Sequence, residues 1–284
     1  MSEIASIAQA NGLHRIGARP HLWPYLKSAW ERRDFISTMA RFKIRSRLER
    51  NRLGVIWLII TPVLDAIFYG VIFALLMGRD RPGGYGAFVM IGVFIFHFFT
   101  GCLTHGAVSI TGHRSMVQTL SFPRITLPFE QVVEEFFSCL PSWILLVVAL
   151  PIFGHMPNVR WLLIIPLMVF FTLFNTGITL LVARLTVHIR DLTQFLPFIS
   201  RVLFFSSGVL FDVDKLFASY PWVITIYDFY PPYQVLELAR NIFMGDEIRP
   251  IDNLYWIVLP IAAVITFIGG LLFFWVAEER YGRD

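Results

Sequence analysis

The chain has 284 residues, of which 56% are hydrophobic and 15% charged, and its mean hydropathy is +0.63. A soluble domain carries about a quarter charged residues and could not hide this much apolar surface at this length, so lipid is the solvent for most of the chain. The net charge is +4, but the basic residues sit beside apolar runs with little aromatic interleaving, which argues against nucleic acid as a partner.

The first twenty residues are polar and lack an apolar core segment, so no cleavable signal peptide is expected. From Leu22 to Ile36, Leu22, Leu26, Ala29 and Trp30 fall near one helical face, with Lys27, Ser28, Glu31, Arg32 and Asp34 mostly elsewhere. This pattern predicts an amphipathic helix in the cytoplasmic interface, or a packed cytoplasmic helix. The basic run Arg41 to Arg52 follows, so residues 22–52 read as an interface helix and a basic leader. A hydrocarbon layer about 30 Å thick needs about 20 apolar helical residues. Six segments qualify: Gly54 to Met77, Tyr85 to Gly112, Phe136 to Gly154 (beginning near Phe129), Trp161 to Ala183, Leu192 to Phe211, and Asn253 to Ala277. Residues 54–277 are thus expected to form a six-helix bundle within one membrane domain spanning 1–284. Only helices satisfy their own backbone in lipid, and the alternation of a barrel strand is absent. The predicted class is all-α integral membrane. Seventeen Lys and Arg fall on the side of the leader and six on the other, with Arg201 inside a span. Both ends are therefore expected in the cytoplasm.

Between the fifth and sixth spans, Asp212 to Asp252 is too apolar for a solvated loop and is broken by Pro221, Pro231 and Pro232. It predicts short re-entrant helices at the outer interface, with Gln234 to Met244 the best helical segment. They would rim an aqueous opening or form an aromatic belt.

No Gly-Lys dipeptide occurs, so the chain has no P-loop for ATP. No zinc or redox spacing joins the seven histidines or Cys102 and Cys139, and the two thiols are expected to be buried. His97, His105 and His113 recur every eight residues, roughly on one helix face, as a polar stripe or as satisfied packing residues. Asp212-Val213-Asp214 has the form of a metal-binding D-x-D, but on the external side a polar helix terminus accounts for it. Asp65 and Arg201 are charges within spans, and each needs a partner or a wet cavity. Glu130, Glu134 and Glu135 open the third span, where they would complement a helix N-terminus, meet basic residues of the leader, or meet a partner. Gly112 to Phe122 is a short polar connection on the leader's side, a stiff lever or a plain loop.

Several landmarks occur in order: Arg33-Asp34 in the amphipathic segment; the basic run into Leu53-Gly54, Trp57 and Pro62; Phe122-Pro123-Arg124 with Leu127-Pro128; Val187-His188-Ile189-Arg190-Asp191; and the aromatic, proline-bearing external region. In this order the chain resembles the membrane subunit of ABC-2 type exporters of polysaccharides, teichoic acids and O-antigens, with galactan exporters the nearest subgroup. Leu48 and Tyr230-Pro231 depart from the family pattern.

The resemblance implies a permease, not an enzyme, that moves a lipid-linked cell-envelope glycan across the cytoplasmic membrane of a bacterium. The permease would pair with a second copy of itself and with two copies of a P-loop ATPase, which would carry the ATP and magnesium. No cofactor is expected in this chain, and membrane lipids would surround it. The resemblance also implies a coupling segment at His113, Arg114, Ser115, Met116, Phe122, Pro123 and Arg124. An external gate would fall at Trp222, Tyr230, Pro231, Pro232 and Tyr233. Arg33, Arg41, Arg45 and Arg47 are expected to meet the pyrophosphate at the cytoplasmic entrance. Phe94, Phe96, Phe98, Phe99, Phe204 and Phe205 are expected to line the conduit, since ring faces suit sugars. The competing classes are a secondary transporter or channel, and a membrane-embedded glycosyl or acyl transferase.

Overall fold

In a computed structural model, residues 21–49, 54, 56–78, 82–119, 122–246, 249–250 and 253–278 are described, with side chains omitted at 47, 48, 114 and 118. Among the described residues the chain is helical, with no strand. In chain order the helices are α1 (Leu22–Glu31), α2 (Arg33–Glu49), α3 (Ile56–Met77), α4 (Tyr85–Ala107), α5 (Arg114–Thr119), α6 (Thr126–Ala149), α7 (Ile164–His188), α8 (Leu192–Ser206), α9 (Val213–Leu216), α10 (Pro221–Asp228), α11 (Pro231–Met244) and α12 (Tyr255–Val276). A 3-10 turn at Leu150–Phe153 extends α6, and one at Val159–Leu163 leads into α7.

Among the described residues, five helical stretches are long and apolar enough to cross a membrane: Ile56–Met77, Tyr85–Ala107, Thr126–Phe153, Val159–His188 and Tyr255–Val276. The fifth predicted span is shorter than its apolar run implied. α8 has 15 residues, a rise of about 22 Å. It ends at Ser206 although Val209, Leu210 and Phe211 continue the apolar sequence. The chain turns at Gly208, whose φ of 73° lies in the left-handed region that a side chain disfavours. A Cβ there would also stand 2.9 Å from Val213 Cγ2. The predicted amphipathic helix is likewise divided, at Arg32, into α1 and α2. Tyr25 and Ala29 point inward, with Leu22 and Leu26 packed beside them. Trp30, expected on that same face, is instead 71% exposed.

α4 lies at the centre and packs against α3, α6, α7, α8 and α11. Seventeen of its 23 residues are buried, which explains why its sequence is apolar almost all round. Its glycines admit close neighbours. A Cβ on Gly101 would lie 2.4 Å from Glu135 Oε2, and one on Gly106 would lie 2.7 Å from Thr179 Cγ2. α7 and α12 form the tightest pair. A Cβ on Gly270 would come within 2.4 Å of the Gly177 carbonyl oxygen, so the two backbones touch. Small residues give membrane helices this approach where no hydrophobic force drives them together. α3 is the least enclosed span. Its Pro62 cannot donate to the Leu58 carbonyl, and the Ser142 hydroxyl of α6 donates to that oxygen at 2.8 Å. The lost backbone bond is thereby replaced across the helix interface.

Candidate functional site

Three polar assemblies hold the ends of the bundle, and each joins residues distant in sequence. On the leader's side, Tyr25 of α1 donates its hydroxyl to Glu278 Oε2 at 2.7 Å and accepts the Ile125 amide at 3.1 Å. The Arg124 amide donates to Glu278 Oε1 at 3.2 Å, and its guanidinium donates to the Glu278 carbonyl at 2.7 Å. Burial pushes the Glu278 carboxyl above its ordinary value, against these hydrogen bonds. Phe122 is half-buried, 6.3 Å between ring centroids from Phe35 of α2. The segment Phe122-Pro123-Arg124 therefore clasps α1, α2 and the end of α12 at one corner.

The short helix α5 lies in the connection beside this corner, next to a 3-10 turn at Thr111–His113. His113 Nδ1 is 2.9 Å from the Ser109 carbonyl. Burial lowers the His113 pKa, and the charge of Lys43 lowers it further. Ser115 is exposed, Met116 half-buried and Val117 buried. The side chain of Arg114 lies outside the described residues. These residues give the connection one anchored face and one open face.

At the start of α6, Glu130, Glu134 and Glu135 are all buried. Lys43 Nζ of α2 is 2.7 Å from Glu130 Oε2 and 3.9 Å from Glu134 Oε2. Gln131 donates to both Glu134 and Glu135, and His105 Nδ1 is 2.7 Å from Glu135 Oε1. The acidic triplet thus meets the basic leader, through its lysine. Of the predicted entrance residues, Arg33, Arg41 and Arg45 are exposed. Arg33 lies 5.8 Å from the Trp30 ring centre, and Arg45 pairs with Glu49 at 2.7 Å. Arg41 and Arg45, four residues apart, share a face of α2. The Arg47 side chain is outside the described residues.

The third assembly closes the opposite end. Arg240 of α11 is fully buried, and its Nη1 lies 2.7 Å from Glu237 Oε1. Its Nη2 donates to the Val209 carbonyl at 2.8 Å, and the guanidinium carbon sits 3.4 Å from the Phe88 ring centre. Gly92 makes room for it: a Cβ there would stand 2.9 Å from Arg240 Nη2. Arg249 bridges Glu237 at 2.7 Å and Asp212 at 2.6 Å. Two cations and two carboxylates thus balance inside the outer cap. Removing one partner of such a buried set costs about 3–5 kcal/mol. Asp212 of the D-x-D is spoken for by Arg249, while burial and then Asp212 raise the Asp214 carboxyl. Among the described residues no three His, Cys, Asp or Glu side chains are grouped to hold a metal.

The outer segment supplies α9, α10 and α11. Of the predicted gate, Trp222 is 66% exposed, Tyr230 and Pro231 are half-buried, and Pro232 and Tyr233 are buried. Pro231 and Pro232 open α11, where the missing amide is no loss. The aromatic residues lock the segment rather than fringe it. Tyr227 donates to the Ser206 carbonyl, and Tyr85 of α4 donates to the Leu210 carbonyl at 2.8 Å.

The six conduit phenylalanines divide. Phe94, Phe96, Phe98 and Phe99 are 0–4% exposed inside the chain's own core, against Phe136, Trp143, Phe171, Phe174 and Phe204. Residues packed on their own chain in this way do not offer a surface to a passing solute. Phe204 and Phe205 of α8 are partly accessible and meet Tyr69 of α3. Asp65 is half-buried on α3 and Arg201 is exposed on α8. Among the described residues no ion pair joins them, and the electrostatic neighbour of Asp65 is His97. The three assemblies were not legible in the sequence as groups. Lys43–Glu130 had a signal in the facing charges of leader and span, whereas the Asp212–Arg249 pairing had none.

Apolar helices long enough to cross a membrane, a clasped corner on the leader's side and a charge-balanced cap at the opposite end define a multi-pass helical membrane protein. The chain belongs to the ABC-2 type transporter family, whose pattern its residues 35–244 match. The chain is 26% identical over 252 residues to the O-antigen export system permease protein RfbA of Klebsiella pneumoniae, covering 88% of this chain and 94% of that one. It is 23% identical over 193 residues to the RfbA protein of Myxococcus xanthus, covering 67% and 73% of the two chains. The polysialic acid transport protein KpsM of Escherichia coli is 21% identical over 239 residues, covering 84% and 91%. The family sets aside the secondary-transporter, channel and transferase alternatives.

Proposed function

We propose that this chain is the permease of an ATP-driven exporter that moves a lipid-linked glycan of the cell envelope across the cytoplasmic membrane of a bacterium. The observation that carries this reading is likeness to O-antigen and polysialic acid export proteins along 84–88% of the chain. A glycan's hydroxyls and pyrophosphate are poorly soluble in hydrocarbon, so their passage requires a lined route and an energy source.

In this reading two copies enclose the route, and each binds one copy of a separate P-loop ATPase, which holds ATP and magnesium. α8 serves as the sixth crossing, α1 lies in the cytoplasmic interface, and α9–α11 re-enter the outer face as a gate. The ATPase docks on α5 and its neighbours His113, Arg114, Ser115 and Met116. The clasp Phe122-Pro123-Arg124 passes that movement to α6 and α12, because Arg124 and Ile125 bind Glu278 and Tyr25 directly. Arg33, Arg41, Arg45 and Arg47 present positive charge to the pyrophosphate at the entrance.

The test is reconstitution. Co-expressed with its cognate P-loop ATPase, the permease should retain that subunit through purification. In proteoliposomes the pair translocates lipid-linked glycan when ATP is supplied, and a P-loop lysine variant of the partner does not. Translocation by the permease alone, or failure of the two subunits to associate, would overturn the reading.

A further inference from the structure

α4 is the most enclosed span, yet on its inner half His97, Thr100, Thr104 and His105 remain accessible. At 100° per residue these four fall on one side of the helix. The other spans expose a different chemistry: Leu64, Ile67 and Phe68 on α3, Ile144 and Val148 on α6, Ile165 and Val169 on α7, Ile261 and Ile265 on α12. Those faces suit lipid. A face carrying two imidazoles does not, because hydrocarbon is a poor solvent for polar and ionisable rings.

Two further observations concern the same strip. A carboxylate adjoins one histidine, Glu135 lying 2.7 Å from His105 Nδ1, and Asp65 on α3 is within electrostatic reach of the other, His97. α8, which packs on α4, has only 15 residues, a rise of about 22 Å against a layer about 30 Å thick, so it does not cover the whole length of α4.

Resting on the exporter reading, we propose that His97, Thr100, Thr104 and His105 form the wetted lining of the glycan route and bind sugar hydroxyls. Glu135 beside His105 offsets cationic charge there, so the strip suits a neutral polyhydroxyl chain rather than a bare phosphate. Thr100 and Thr104 donate their hydroxyl protons along their own helix and keep oxygen lone pairs for an incoming hydroxyl. The eight-residue recurrence of His97 and His105 is therefore a polar stripe, while His113 lies beyond the end of α4.

The experiment uses the full permease–ATPase complex in native membranes. His97→Cys, Thr100→Cys and Thr104→Cys are treated with a charged, membrane-impermeant methanethiosulfonate. Val169→Cys and Ile265→Cys serve as lipid-facing controls. The native Cys102 and Cys139 are buried, and wild type gives their background. Strip positions should react at least about tenfold faster than the controls, since the reacting thiolate forms only in water. Reaction with N-ethylmaleimide alone would mean a lipid face. A Thr100→Cys disulfide between copies, without charged labelling, would mean a dry interface. Either result overturns the proposal. In a second arm, Thr100→Val/Thr104→Val slows export while Thr100→Ser/Thr104→Ser restores it, and a wild-type rate for the valine pair overturns the hydroxyl-binding role. Charged labelling of a complex whose wild type never exports glycan would instead retire the exporter reading and leave the wet strip standing.

Discussion

Glu278 uses both carboxylate oxygens and its own carbonyl to hold Tyr25 and Arg124, and its burial lifts its pKa. The folded protein therefore binds this proton more tightly than the unfolded chain. The stabilising contribution is fully present below the ordinary carboxylate value of about 4.3 and is lost as pH rises through the raised value. Glu278→Gln keeps an acceptor and removes the titration. Hydrogen-exchange protection of the Ile125 amide should be greater at mildly acidic than at neutral pH in wild type, and flat with pH in the variant. Equal protection in wild type at both pH values would refute this. At this scale the sequence was least transparent. Arg240 and Glu237 stand three apart on a helix with nothing in the sequence to single them out, and only the folded chain brings Phe88, Val209 and Arg249 around them. The histidine stripe was visible as a period, but its accessibility depended on which neighbours α4 acquired.

Among the elements, α7 and α12 allow a clean comparison. Gly269 and Gly270 are adjacent, so an alanine at either gains the same helix propensity. A Cβ at Gly269 meets nothing within 4 Å, whereas one at Gly270 meets the Gly177 backbone. Gly270→Ala should destabilise by about 1–3 kcal/mol through overpacking, and Gly269→Ala should leave thermal unfolding in detergent unchanged or raise its midpoint. Equal midpoints for the two variants would show that the helices do not meet there. The long spans were readable because an unbroken apolar run of twenty residues has few other solutions in lipid. Their ends were not. α6 begins at Thr126, ahead of the apolar run from Phe136 and close to the expected start near Phe129, because its acidic first turns are buried against Lys43 rather than solvated. α8 stops early because a glycine turn is invisible to a count of apolar residues.

For the whole molecule, the proposed orientation, with the leader in the cytoplasm, rests on the uneven distribution of Lys and Arg. Tyr220, 57% exposed beside α10, should as Tyr220→Cys react with an impermeant maleimide added to intact cells. Thr38→Cys on the exposed side of α2 should react only after the membrane is opened. The reverse pattern would invert the molecule and place α5 beyond reach of any cytoplasmic ATPase.

The shortness of α8 also reaches past the protein into its solvent. In the proposed reading, in which α8 is a crossing, it is several ångströms too short, and lipids along it would pinch inward to keep its ends in contact with their headgroups. Such mismatch carries a modest free-energy cost per ångström. The bilayer then acts as a loaded spring beside the helix, and short-tailed lipids would relax it where long-tailed ones would tighten it.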